Sequence, residues 1–201
     1  YVELAAGLVD TPPPRLYLMH GFSGSGKTWL SERLVGALPA LRVRSDLERK
    51  RLSGRLPGLA AEPRTTGVIE SGLYGAEVTE QTYGTLARHC ETGLRAGFDM
   101  IADATFLRRR HREQFRELAA RLGSAFVIVD CVAPPALLEA RLRQRLAGGA
   151  DASDADLAVL HHQLAHHDPL TEQEKQRAVV LDGGSDVEAA AARILAATVR
   201  Q

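Results

Sequence analysis

An eight-residue run, Gly21-Phe22-Ser23-Gly24-Ser25-Gly26-Lys27-Thr28, constrains this chain more than any other feature. It satisfies GxxxxGK[ST], and its setting is right: the apolar run Leu16 to His20 precedes it, and Trp29, Leu30, Leu34 and Leu38 follow at helical spacing. Strand, glycine-rich turn and helix in that order make a phosphate-binding loop. Glycine reaches backbone angles closed to other residues, so successive N–H groups converge on phosphate oxygens while the helix N-terminus adds partial positive charge. Lys27 is expected to bridge the terminal phosphates of a nucleotide, and Thr28 to offer its hydroxyl to Mg2+. The predicted nucleotide contacts are Gly21, Ser23, Gly24, Ser25, Gly26, Lys27, Thr28 and Trp29. Lys27, Lys50 and Lys175 are the only lysines in the chain, so a motif lysine is not an accident of composition.

Beyond the loop, short apolar runs alternate with helical periodicity, the signature of βα units around a parallel sheet. Leu16 to His20, Leu41 to Ser45, Asp99 to Ala102, Phe126 to Val132 and Val179 to Leu181 are the candidate strands. Tyr83, Leu86, Cys90 and Leu94 make one helical stripe, and His111, Phe115, Leu118 and Leu122 a second. A third holds Val187, Ala191, Ile194 and Thr198, while Gly97 and Gly123 act as helix stops. The run Thr11-Pro12-Pro13-Pro14 cannot donate backbone hydrogen bonds, so residues 1–14 read as a linker or the end of a preceding domain, with the domain proper at 15–201. Residues 53–75, rich in Gly and Pro, read as a mobile surface excursion.

Composition excludes several classes. Twenty-five Lys plus Arg balance 25 Asp plus Glu, which argues against a dedicated nucleic-acid binder. Cys90 and Cys131 are too few for a disulfide scaffold, and unpaired thiols fit a reducing compartment, here the cytoplasm. No apolar stretch approaches the length of a membrane span, and no signal-peptide pattern opens the chain. With no Asn anywhere, the NKxD element of guanine-specific switches is impossible, and DxxG is missing too. Motor ATPases place a Glu after the strand-end Asp to activate water. Here Asp103 is followed by Ala104 and Asp130 by Cys131, so the loop is better suited to passing phosphate to another acceptor.

The parts of a phosphotransferase stand at strand ends, where ligands of open α/β sheets bind. Asp46 closes the second strand and would accept an acceptor hydroxyl's proton, its other reading being an N-cap for Leu47 to Leu52. Asp103 closes the third and would support Mg2+, against a turn-forming role. Arg108, Arg109, Arg110 and Arg112 read as a solvated face, unless one of them, near Thr105, grips an acceptor. Arg141 and Arg145 project beside the buried line Leu138, Leu142 and Leu146, before Gly148 and Gly149; they read as a lid that closes on the transferring phosphate, or else as plain surface arginines. His161, His162, His166 and His167 lack a carboxylate or thiol at ligand spacing and read as a solvated helix face, and Cys131 as a buried small hydrophobe.

Together, LMHGFSGSGKT, RSDLERKRL, GFDMIADATFLRRRHR and RLRQRLAGGADASDA resemble the bacterial P-loop kinase-like proteins of the AAA-family ATPase or predicted-kinase type. These are similar to the kinase domain of polynucleotide kinase, to zeta toxins and to chloramphenicol phosphotransferase. The resemblance runs from about Arg15 to Gly184. It implies a three-layer, doubly wound α/β fold of the nucleoside-monophosphate-kinase type, strand order 2-3-1-4-5, with ATP (or GTP) and Mg2+ as cofactors. The polynucleotide kinase pattern of Asp followed three residues later by Arg falls on Asp46 and Arg49, implying general base and acceptor contact, with Thr105 and Arg112 as further acceptor contacts. The family's lid arginines fall on Arg141 and Arg145. In many members an aminoglycoside phosphotransferase-like domain precedes, an arrangement that suits the first residue, Tyr1, and the proline linker. The expected activity is transfer of the γ-phosphate of ATP to a hydroxyl of a small molecule. A 5'-hydroxyl polynucleotide kinase and a nucleotide-binding regulatory module with little turnover are the alternatives.

Overall fold

Each of the apolar runs becomes a strand of one parallel sheet: β1 (Arg15–His20), β2 (Ala40–Arg44), β3 (Asp99–Asp103), β4 (Ala125–Val132) and β5 (Ala178–Asp182). The computed structural model describes residues 12–52, 75–148, 157–182 and 184–198. The expected excursion at 53–75 lies outside them except for its last residue, as do most of the linker and the glycine hinge after Gly148. The sheet order is β2-β3-β1-β4-β5, the doubly wound order expected. β1 is central and buried from Leu16 onward, which is why it reads as a continuous apolar run.

Helices cover both faces. On one, α1 (Lys27–Ala37) and α8 (Val187–Thr198) supply Leu30, Leu34, Ala191 and Ile194 against Tyr17, Met19, Ile101 and Val129. On the other, α3 (Ala76–Arg95) and α4 (Arg109–Arg121) bring Tyr83, Leu86, Cys90, Leu94, Phe115 and Leu118 onto Leu16, Leu18, Ala102 and Ile128. The predicted helical stripes are thus the buried faces, and Gly97 and Gly123 follow α3 and α4 at φ +85 and +65, angles that suit glycine. A smaller cluster joins Leu138 and Leu142 of α5 (Pro135–Gly148) to Leu160 of α6 (Leu157–His166), with Phe22 packed against it. α7 (Glu172–Arg177) leads into β5. Ser45, expected at the end of the second strand, instead opens α2 (Ser45–Leu52), since Ser and Asp favour helix starts. No helix among the described residues is long and apolar enough to cross a membrane.

One expected acceptor contact is overturned by this packing. Arg112 is 1% exposed, and all of its guanidinium donors are taken. It donates to both carboxylate oxygens of Glu174 (2.6 and 3.1 Å) and to the carbonyls of Phe106, Asp168 and Pro169 (3.0–3.1 Å). The helical period of α4 turns this one arginine of the run inward, where it ties the segment before α7 to the β3–α4 connection. Glu174 also closes the capping box of α7 with Thr171. Burial pulls the Glu174 carboxyl upward, but Arg112 and Thr171 outweigh it and hold the group below the usual range.

Replacing Arg112 by Ala leaves a cavity in the core and strands a half-buried carboxylate and three carbonyls, so stability at pH 7 should fall by about 3–5 kcal/mol, while a change at exposed Arg109 should stay within about 0.5 kcal/mol. Urea denaturation of both variants measures this. Because the folded-state pKa of Glu174 is depressed, its contribution is present above the unfolded pKa and is lost as pH falls through the folded one.

Candidate active site

The start of the phosphate loop is seated by backbone. Gly21 has φ +133, its N–H donates to the Thr105 carbonyl (3.1 Å), and a Cβ there would lie 2.3 Å from the Cys131 carbonyl oxygen. No other residue fits. Gly26, at φ +96, is the N-cap of α1, and its carbonyl accepts from Leu30 N (2.9 Å). Within the loop Lys27 is buried, and its ammonium donates to the Phe22 carbonyl (2.6 Å) and Ser25 Oγ (3.4 Å). Burial pushes Lys27 down to about 8, with nearby Arg145 adding to the fall and Asp103 and Asp130 opposing it. Thr28 is half-buried in the first turn of α1. Trp29 is 42% exposed under the Arg33 guanidinium, 4.1 Å from the ring centroid.

Two carboxylates stand beside the loop at the C-terminal edge of the sheet. Asp103 is buried, and its Oδ2 accepts from Ser31 Oγ (2.7 Å) on α1. Burial pushes its carboxyl up; Ser31, Lys27 and Arg42 oppose this, and the Asp46 charge adds to it, which places Asp46 in the same electrostatic neighbourhood. Arg44, Asp103 and Met19 lie level across β2, β3 and β1. Asp46 is therefore at the same edge, where Arg44 grips it through Nε (3.1 Å) and Nη2 (2.5 Å) and the Leu47 amide adds 2.9 Å. The carboxylate is held in one orientation rather than spent on capping alone. For Mg2+, the Thr28 hydroxyl and the Asp103 carboxylate are hard oxygen donors, and no group of three His, Cys, Asp or Glu exists among the described residues that would hold a metal without help from phosphate and water. That donor set fits a magnesium shared with a nucleotide.

The arginines of α5 already meet the loop. Arg141 donates to the Gly24 carbonyl (3.2 Å), Gly24 sits against Leu138, and Arg145 is near enough to Lys27 to lower its pKa. Thr105 is half-buried at the rim, 3.3 Å from the Tyr83 hydroxyl; Arg49 is half-buried on α2. Two residues of the edge escaped the sequence reading. Gln163 of α6 accepts from the Ser23 amide (3.0 Å), a contact between positions 140 residues apart that no local pattern announces. His20, the last residue of β1, is paired through Nδ1 with Asp130 (2.7 Å); its place directly before the loop was the available signal. Of the other histidines, His161 lies 3.3 Å from Glu139 and His162 stacks on His166.

A bound polyphosphate favours the charged form of Lys27 and so raises its pKa. Nucleotide binding should then take up about half a proton at pH 8, close to one at about pH 9 and about a tenth at pH 7, and affinity should fall as pH rises. Calorimetry in buffers of different ionisation enthalpy reads this uptake, and Lys27→Met should abolish it. The nucleotide-free protein should gain stability as pH rises from about 8 into the ordinary lysine range, because there the unfolded lysine holds the proton that the folded one has lost.

Several known proteins resemble this chain. An uncharacterized protein of Mycobacterium tuberculosis, Rv2004c, is 31% identical over 156 residues, covering 77% of this chain and 30% of that protein, so the chain spans under a third of that relative's length. A guanylate kinase of Pseudomonas fluorescens is 32% identical over 147 residues, 69% of this chain and 66% of that one. A solved sugar kinase from Janibacter shares the fold at a TM-score of 0.62 and 20% identity, over 92% of this chain and 94% of that one. A family model described as an AAA domain matches residues 16–170. The chain belongs to that AAA-domain family and has a P-loop kinase-like fold.

Proposed function

We propose that the domain is a phosphotransferase that moves the γ-phosphate of ATP, with Mg2+, to a hydroxyl of a small molecule. The observation that carries this is the buried Lys27 inside the loop, with Asp103 near it, Asp46 at the same sheet edge, and no Glu following Asp103 or Asp130 to activate water. Loop amides and the start of α1 would bind the phosphates, and Lys27 would leave the Phe22 carbonyl for the terminal ones. Thr28 and Asp103 would hold the magnesium, whose chemistry is to neutralise phosphate charge that repels an incoming oxygen.

Asp46, fixed by Arg44, would accept the proton of the acceptor hydroxyl as its oxygen bonds to the γ-phosphorus. The bond from that phosphorus to the bridging oxygen breaks, and ADP leaves with the electron pair. Arg141 and Arg145 would steady the charge in flight, with little travel since both stand near the loop. Arg49 and Thr105 remain as acceptor contacts. The polynucleotide kinase alternative is weakened, because Arg112 is committed to Glu174 and cannot meet a nucleic-acid end. A preceding aminoglycoside phosphotransferase-like domain rests on the resemblance alone.

Asp46→Asn keeps the shape and one bond to Arg44 but removes the proton acceptor. Labelled phosphate transfer from ATP to a panel of hydroxylated metabolites should fall about 10²- to 10⁴-fold. Affinity for a nonhydrolysable ATP analogue should not change. Transfer at the parental rate would reduce Asp46 to a structural carboxylate.

A further inference from the structure

One pair of side chains at the nucleotide edge takes no part in this chemistry. His20 is 8% exposed, directly before the phosphate loop, and its Nδ1 lies 2.7 Å from Oδ1 of Asp130, its register partner on β4. Its Nε2 is buried and has no hydrogen-bond partner among the described residues. A carboxylate that bonds one ring nitrogen fixes the orientation of the imidazole and with it the place of the other nitrogen. A buried ring nitrogen left bare is costly, and such a group in a folded protein calls for a partner that completes it.

The sheet indicates what that partner is. Alternation along β1 puts His20 on the side of Leu16 and Leu18, the face covered by α3 and α4, whereas α1 lies on the opposite face. Because Arg44, Asp103 and Met19 lie level, Asp46, Thr105 and His20 stand one or two residues beyond a common row, at the ends of β2, β3 and β1. Adjacent strands are about 4.8 Å apart, so Arg44 and Met19 of the common row are separated by about 10 Å, with Asp103 between them, and Asp46, Thr105 and His20 follow from those positions. The Thr105 hydroxyl is itself held: the Phe106 amide donates to the Tyr83 phenol (3.2 Å), which lies 3.3 Å from Thr105 Oγ1. Carboxylate, hydroxyl and imidazole in a row all exchange hydrogen bonds with O–H groups.

We propose that His20, held by Asp130, binds a hydroxyl of the acceptor, and that the acceptor is a polyhydroxylated molecule whose reacting hydroxyl meets Asp46 while another, several carbons away, meets Nε2 of His20. This rests on the phosphotransfer reading and names the substrate class of that site. His20 touches the substrate; Asp130 is a positioning residue that acts through it.

The test uses the full chain, with nitrogen-15 in its histidines, bound to Mg2+ and a nonhydrolysable ATP analogue. D-sorbitol, xylitol and D-gluconate are the probes, with 1-propanol as the control. The His20 Nε2 resonance should move with a polyol and not with 1-propanol. His20→Asn keeps a donor to Asp130 but has no atom at the Nε2 position. It should raise the KM for the polyol about tenfold in labelled transfer, while nucleotide affinity stays within about twofold. A His20 resonance unmoved by every polyol in the unmutated protein overturns the assignment, whether or not the variant folds. Transfer to 1-propanol as readily as to a polyol overturns it and leaves phosphotransfer standing. Label passing to no hydroxyl at all removes the phosphotransfer reading, and this inference with it.

Discussion

The nucleotide edge depends on how tightly the backbone at Gly21 is pressed between the neighbours of β1. Its amide is bonded to the Thr105 carbonyl beyond β3, and its α-carbon faces the Cys131 carbonyl of β4 so closely that no side chain can be inserted. The loop is therefore registered to both flanking strands at once. Whatever it binds is placed in a fixed relation to Asp103 on one side and Asp130 on the other. Rigid elements hold a site more precisely than a loop alone would, and here they are the three most buried strands of the sheet.

The second constraint is electrostatic. The chain carries no net charge, yet a lysine lies buried inside its phosphate loop, among Asp103, Asp130 and Arg145. The free domain bears that desolvation, which a phosphate would relieve. Cys131 shares the neighbourhood, but burial pushes its thiol up to about 12, so it stays a neutral packing group and no nucleophile. Asp103 is pushed the same way by its burial, and Ser31 and Lys27 pull back. These groups influence one another because little water separates them.

Much of this was legible in the chain. The strands were found within a residue or so of their ends, because five apolar runs can be buried only in a sheet covered on both faces. Where the reading failed, long-range contacts overrode a local pattern. Arg112 sits in a basic run that looks solvated, and only the distant Glu174, Asp168 and Pro169 reveal that it is a core residue. Arg141 reads from the sequence as a lid arginine or a surface one, and its contact with the Gly24 carbonyl depends on how α5 packs. Gln163 carried no signal, since its meaning comes from Ser23, 140 positions away.

By itself the sequence determined the phosphate loop, the parallel sheet and the two strand-end carboxylates. Those are local: they follow from glycine's backbone freedom, from apolar periodicity, and from the rule that strand ends share one edge. Only the tertiary structure decided which of several arginines faces the crevice, that Arg44 orients Asp46, and that His20 meets Asp130 while its other nitrogen stays bare. Such pairings join residues from different strands and helices. Hydrogen bonds act over about 3 Å, so the chain must be folded before the partners are defined.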